Sequence, residues 1–284
     1  MLLIVGRKRF WYKTGDELKK GIAERRILST EPPKKMYDKF HVEQKEIQGH
    51  HYYEISQKNG RNQPHILYLH GGAYVHRITK YHWDFLYRLA QTLSCSLTVP
   101  LYPLAPEHTY KETVDMVTQL YREQLGQKDS IIFMGDSAGG GLALALAQRL
   151  KINGEALPSQ LILIAPWLDM TLSNPEIDIL QKGDYFVAKP GLMEVAKWYS
   201  GGEDLRCYLL SPMYGELKGL PQITLFVGTK DSLVADSRKF VAMAAEQGIE
   251  IDYIEQQNMV HVYPIFTFPE AQVAFHQIIE RIQR

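Results

Sequence analysis

The chain has 284 residues, 45% of them hydrophobic and 23% charged, an ordinary globular composition with enough length to bury one sizeable core. Lysine plus arginine equals aspartate plus glutamate at 32 each, so no global field steers nucleic acid or an anionic membrane, and the expected partner is a small neutral molecule. Only Cys95 and Cys207 occur, which calls for no disulfide framework and fits a reducing compartment.

In chain order, the opening MLLIV run is too short for the apolar region of a signal peptide, and no run approaches the ~18 apolar residues of a membrane span. The expected location is therefore cytoplasmic, without membrane association. Residues 1–40 are basic and irregular, with helical spacing over Asp16–Ile27 that halts before Pro32-Pro33, and they read as an appendage to the core. From Phe40 onward short β-rich runs alternate with helical patterns. The β runs fall at 42–48, 51–56, 65–70, 96–101, 130–134, 160–165, 222–228 and 250–255. Helical spacing marks 82–94, 111–125, 139–151, 236–247 and 270–282.

The first two β runs lie too close together for a helix between them, so they are expected to pair antiparallel across Gly49. The remaining alternation implies a mainly parallel eight-stranded sheet with helices on both faces, and places the chemistry in the loops at the strand C-termini. The expected organisation is a single α/β domain over residues 1–284. About 55 residues separate the 160–165 run from the 222–228 run, more than one crossover needs, so an insertion is expected at about 167–210. It carries Trp167, Tyr185, Phe186, Trp198 and Tyr199, with a helix signal at Pro190–Tyr199. Leaving from a strand C-terminus, it can fold over the site and wall a pocket. The same aromatics also suit a second small hydrophobic cluster.

Gly135-Asp-Ser-Ala-Gly139 fits G-x-S-x-G directly after a β run and directly before a helical one. Reversing from strand to helix in so few residues strains the backbone at Ser137, and side chains two residues either side would collide, hence glycine at both. A phosphate-cradling loop shares the strand-to-helix setting, but no Gly-Lys-Ser/Thr follows and Asp136 would repel the anion. Upstream, His70-Gly-Gly-Ala-Tyr74 ends the 65–70 run. Alone it reads as a tight strand-exit turn; beside a nucleophile elbow it offers the N–H groups of Gly71 and Gly72, with that of Ala138, as donors to an oxyanion. His70 then braces the loop.

A nucleophilic serine needs a histidine base and a carboxylate behind it, in the chain order Ser, acid, His. Only His261 and His276 follow Ser137, and His276 falls in the last helical pattern, so His261 is the candidate base. Asp231 lies three residues past the 222–228 run and is the candidate acid, while Asp236 reads as the N-cap of the next helix. Asp169 and Asp184 read as turn residues of the insertion. Asp136 either lines the pocket or braces the elbow.

These residues resemble the α/β-hydrolase fold and, within it, the hormone-sensitive-lipase-like family of bacterial carboxylesterases and acetyl esterases. The resemblance spans roughly residues 40–284 through HGGAY, YPLAPE at 102–107, GDSAGG, APWLD at 165–169, GTKDSL and MVHVYP, in family order. It implies Ser137 as nucleophile, Asp231 as acid, His261 as base, and Gly71, Gly72 and Ala138 as oxyanion donors. It further implies a cap built from the N-terminal segment and the insertion, hydrolysis of small, short-acyl esters without metal or cofactor, and a homodimer. Tyr74, Asp136, Trp167, Phe186 and Trp198 are the candidate pocket residues. The family commonly has arginine where Pro103 stands, and a second aspartate where Ala235 stands. Two other readings use the same residues: an amidase or peptidase-like hydrolase, and a ligand-binding member without catalysis.

Overall fold

The chain enters its sheet through a hairpin that the sequence sets locally. Gln48 and Gly49 both take positive φ, 50° and 78°, giving a two-residue turn whose twist matches that of the strands it joins. The computed structural model describes residues 8–58, 60, 64–128 and 130–283; the MLLIV run lies outside the described residues. The turn connects β1 (Phe40–Ile47) to β2 (His50–Gln57), which pair antiparallel as expected. Then follow β3 (His65–Leu69), β4 (Ser96–Pro100), β5 (Ile131–Asp136), β6 (Gln160–Ile164), β7 (Gln222–Gly228) and β8 (Ile251–Gln256). All eight form one sheet in the order β1-β2-β4-β3-β5-β6-β7-β8, parallel from β4 to β8.

Strands β3, β4 and β5 are buried at every position, which is why they read as unbroken apolar runs: helices cover both faces. Threonine caps start two of these helices. Thr79 and His82 form a capping box at the head of Lys80–Leu93, and Thr109 with Glu112 does the same for Tyr110–Leu125. The helix Ala138–Ile152 is buried on nearly all sides, so its alanine- and leucine-rich sequence carries no polar face. Register keeps the strand ends level: Leu69 pairs with Gly135, Asp136 with Ile164, Ile164 with Phe226 and Gly228 with Gln256. The loops that follow β3, β5, β6, β7 and β8 therefore open side by side.

The N-terminal segment is not the appendage the sequence suggested. Phe10, Trp11, Leu18, Ile22 and Met36 are buried in the common hydrophobic core. The helix Gly15–Arg25 presents Leu18 and Ile22 inward, and Gly21 lets the Phe10 ring approach so closely that a Cβ there would lie 2.8 Å from it. The Trp11 carbonyl accepts a hydrogen bond from the Gly191 N–H at 2.7 Å, tying the segment to the insertion. Beyond the two prolines the chain resumes as a short helix, Lys34–Lys39, which the sequence reading did not anticipate. The insertion contributes helices Glu176–Leu180 and Lys189–Ser200, the second with Pro190 in its first turn. Both cysteines are free, and burial pushes the Cys95 thiol up to about 12. Among the described residues no helix is long and apolar enough to cross a membrane.

Burial of the first helix has a measurable consequence. Ile22→Ala is expected to lower unfolding free energy by ~2–5 kcal/mol, as for other buried aliphatic truncations. Ile27, 83% exposed just beyond the same helix, should tolerate alanine with a change under ~0.5 kcal/mol. Equal losses in a denaturant titration would return the segment to the status of an appendage.

Candidate active site

Ser137 sits at the junction of β5 and the helix Ala138–Ile152 with φ 52° and ψ −121°, a conformation that costs a non-glycine residue ~1–3 kcal/mol. Backbone bonds hold it there. Its N–H donates to the Ile164 carbonyl at 2.8 Å, and its own carbonyl accepts from Trp167 and Gly141 at 2.9 and 3.1 Å. The flanking glycines are required by contact: a Cβ on Gly135 would lie 2.3 Å from the Gly139 carbonyl oxygen, and one on Gly139 would lie 2.0 Å from that of Leu69. The collision inferred from spacing is therefore with backbone, which cannot move aside.

The loops after β7 and β8 bring two further groups to the serine. His261 Nε2 is 2.9 Å from Ser137 Oγ, and its Nδ1 is 2.7 Å from Asp231 Oδ2. With an ionised Asp231 accepting from Nδ1–H, Nε2 is left as the acceptor for the serine hydroxyl. The other Asp231 oxygen accepts from the Leu233 N–H at 2.9 Å, so the carboxylate cannot swing away. Asp231, His261 and Ser137 are 0%, 5% and 9% exposed, which leaves the serine the most accessible of the three. Burial alone would lower the His261 pKa, but the charges of Asp231, Asp184 and Asp136 and the bond to Asp231 raise it above the ordinary histidine value. His276 is exposed on the last helix, away from this group.

Asp236 is not the N-cap that the sequence suggested. Its helix, Val234–Glu246, begins two residues earlier, behind Leu233, and the Asp236 side chain points into the core with no exposure. Burial, reinforced by Asp169, pushes its pKa up to about 7. With Pro103 where the resemblance led to an expected arginine, Glu107 still has a cationic partner: Arg26 of the N-terminal segment reaches it at 2.6 Å.

The candidate oxyanion donors require one correction. The Gly71 N–H donates to Asp136 Oδ1 at 2.8 Å and is not free to point at a reacting carbonyl. Ala138 is the first residue of its helix, where an N–H has no intrahelical acceptor. Among the described residues neither Gly72 nor Ala73 gives its N–H to a backbone carbonyl. Gly72, at φ 130°, and Ala73, at φ 51°, form the bend that follows Gly71.

Asp136 thus braces the loop. It is buried, and accepts from the Tyr68 hydroxyl at 2.6 Å as well as from Gly71, while His82 Nε2 lies 3.2 Å from its other oxygen. The Thr79 N–H donates to His82 Nδ1 at 3.0 Å, and an amide can only donate, so the imidazole carries its proton on Nε2, facing Asp136. Burial would raise the Asp136 pKa; His82, Tyr68 and Gly71 together outweigh it and hold the carboxyl below its usual range. His70 also braces, as expected: Nδ1 is 2.7 Å from the Gly71 carbonyl and its ring stacks on Tyr102 at 4.4 Å.

Of the expected pocket residues, Phe186 reaches the group, with its ring 6.4 Å from that of His261. Tyr74 is buried and serves as a strut: its hydroxyl donates to the Ala138 carbonyl at 2.7 Å and its ring stacks on Tyr199 at 3.9 Å. Trp167 is likewise buried, donating to the Asp169 carbonyl at 3.0 Å. Trp198 faces the first helix, with the Lys19 ammonium 5.6 Å from its ring. Sequence reasoning missed Tyr68 and His82, since each fits the pattern of its own strand or helix; the one usable signal was that an aspartate inside an elbow needs donors. Among the described residues no group of three or more histidine, cysteine, aspartate or glutamate side chains is gathered as a metal ligand set.

A family model described as the alpha/beta hydrolase fold matches residues 66–265. An esterase of Acinetobacter venetianus is 35% identical over 225 residues, 76% of this chain and 73% of that protein. An acetyl-hydrolase of Streptomyces hygroscopicus is 30% identical over 201 residues, 70% of this chain and 67% of that protein. Among solved structures, an esterase from the bacterial hormone-sensitive lipase family superposes with TM-score 0.83 at 28% identity, covering 98% of this chain and 95% of that one.

The Asp136 brace can be tested through the reactivity of Ser137 alone. Asp136→Ala removes the acceptor that fixes Gly71, and the rate at which a fluorophosphonate labels Ser137 is expected to fall ~10²-fold, comparable to losing one oxyanion donor. A labelling rate within a factor of about 2 of the parent, with a cooperative melt retained, would reject the brace.

Proposed function

The chain belongs to the α/β-hydrolase family and is a serine hydrolase of the carboxylesterase type, and from that premise we propose that Ser137, His261 and Asp231 hydrolyse small, short-acyl esters through an acyl-enzyme. The observation that carries the reading is the unbroken line Ser137 Oγ, His261, Asp231, with contacts of 2.9 and 2.7 Å.

In the first step Ser137 Oγ attacks the ester carbonyl as His261 Nε2 takes its proton, and Asp231 stabilises the imidazolium that forms. The tetrahedral oxyanion sits against the N–H groups of Ala138 and Gly72, with the N-terminus of the 138–152 helix adding its positive end. His261 returns the proton to the leaving alcohol. Water then attacks the acyl-serine, again giving its proton to His261, and the acid is released with Ser137 restored. The strained Ser137 backbone keeps Oγ at the end of the elbow throughout, so no conformational search precedes attack.

A short acyl group is favoured by what surrounds the serine. Phe186 stands over His261, and the Tyr74 and Tyr199 rings, stacked at 3.9 Å, fill the space behind the oxyanion loop with rigid, buried side chains. The five-membered set Gly72, Ala138, Ser137, Asp231 and His261 contains no charged group free to select an ionic substrate, so a neutral ester is the matching class.

Two outcomes are expected. Because His261 must be neutral to accept the serine proton and its pKa is raised, kcat/KM should fall as pH drops through a midpoint above 6.5. A profile flat from about pH 5 to 9 would remove His261 as the base. Across nitrophenyl esters from acetate to decanoate, kcat/KM should peak at about four carbons or fewer, and a maximum at about eight or more would overturn the short-acyl reading. Ser137→Ala should abolish turnover in both series.

A further inference from the structure

Asp184, in the loop between the two insertion helices, is only 1% exposed and, among the described residues, has no lysine or arginine paired with it, yet four donors converge there. Oδ1 accepts from the N–H groups of Phe186 and Val187 at 2.7 and 3.3 Å. Oδ2 accepts from both the N–H and the hydroxyl of Ser232, each at 2.8 Å. One oxygen thus sets the turn carrying Phe186, whose ring lies 6.4 Å from that of His261. The other grips the residue directly after Asp231.

A turn-forming aspartate needs only the first pair of bonds. The second pair crosses to the catalytic loop. We propose that Asp184 is a positioning residue, a carboxylate of the insertion that fixes the acid turn and Phe186 against His261, so that seating the insertion and assembling the triad are a single event. This rests on the proposed esterase reading and adds to it a residue and a coupling between cap and triad.

The physical case has two parts. The Asp231 carboxylate accepts from the Leu233 N–H at 2.9 Å, and the turn is closed by the Asp231 and Val234 N–H groups on the carbonyls of Gly228 and Asp231, each at 3.2 Å. The Ser232 N–H between them goes to Asp184, which fixes the one peptide of the turn that these bonds leave, beside an Asp231 Oδ2 that lies 2.7 Å from Nδ1. Second, the charges of three carboxylates from different elements act on the imidazole, Asp231 from the acid turn, Asp184 from the insertion and Asp136 from the elbow, and all favour its protonated form. Burial and the Asp231 charge push the Asp184 carboxyl above its usual range, and a protonated His261 pulls it back, so the imidazolium that forms during catalysis and the Asp184 carboxylate favour each other.

The test is Asp184→Asn in the full chain, assayed on nitrophenyl acetate with a melting curve for each variant. An amide cannot accept at both positions, so one pair of donors loses its acceptor and the negative charge is gone. The expected result is a fall of about 10-fold or more in kcat with little change in KM, and an acid limb of kcat/KM moved to lower pH by about half a unit. A purely structural turn would lower the melting temperature and leave both kinetic readouts in place, which would overturn the inference. If Asp184→Asn shows no cooperative melt, Ser232→Ala removes one donor and keeps the backbone bond. It should then lower kcat by about 3-fold or more, and an unchanged kcat would overturn the inference. Ser137→Ala separates the levels: if it is inert while Asp184→Asn matches the parent, only this inference falls, whereas turnover surviving in Ser137→Ala overturns both.

Discussion

The structure is organised around one backbone constraint, the reversal from β5 into a helix at a serine held at φ 52°. Everything near it is shaped by the closeness this reversal imposes. Gly135 and Gly139 are in contact through backbone atoms, Gly139 also lies on the Leu69 carbonyl, and Gly141 sits against the carbonyl of Trp167. The helix is therefore pressed onto the ends of β3, β5 and β6 at once, which is possible only where side chains are absent. The cost is strain of ~1–3 kcal/mol and lost core packing. The return is a hydroxyl fixed at the level edge of a parallel sheet, beside the first N–H groups of a helix.

Around that reversal the buried charges are arranged by the donors they can reach. Asp136 turns away from the reacting space and spends its oxygens on Tyr68, Gly71 and His82, three groups from two other elements. Asp231, three residues past the end of β7, faces His261. Both carboxylates are buried, and hydrogen bonds replace the water they lost. The difference in role follows from which donors lie within reach, a property of the fold and not of the residue type.

The same logic explains why the two outlying segments belong to the molecule. The first helix buries Leu18 and Ile22, Trp11 is bonded to the insertion at Gly191, and Arg26 meets Glu107 where the neighbouring loop lacks a basic residue of its own. The insertion in turn places Tyr199 on Tyr74 and Phe186 near His261. Neither segment supplies Ser137, Asp231 or His261, yet together they fix the loops that do.

Much of the fold was legible in the sequence because its signals are local. The eight β runs, the hairpin at Gly49 and the helices after β3, β4, β5, β7 and β8 follow from periodicity and turn chemistry, and the elbow, with Asp231 and His261 as the groups brought to Ser137, follows from spacing and chain order. The N-terminal segment was misjudged because an amphipathic helix of 11 residues looks the same whether its apolar face meets a core or solvent. The parts of the site that only the tertiary structure decided are of one kind. Whether Gly71 offers its N–H to a substrate or to Asp136, and whether Asp184 serves its own turn or also Ser232, both depend on which partner another element brings within 3 Å. Hydrogen bonds act over that distance between residues far apart in the chain, and no pattern along the chain records it.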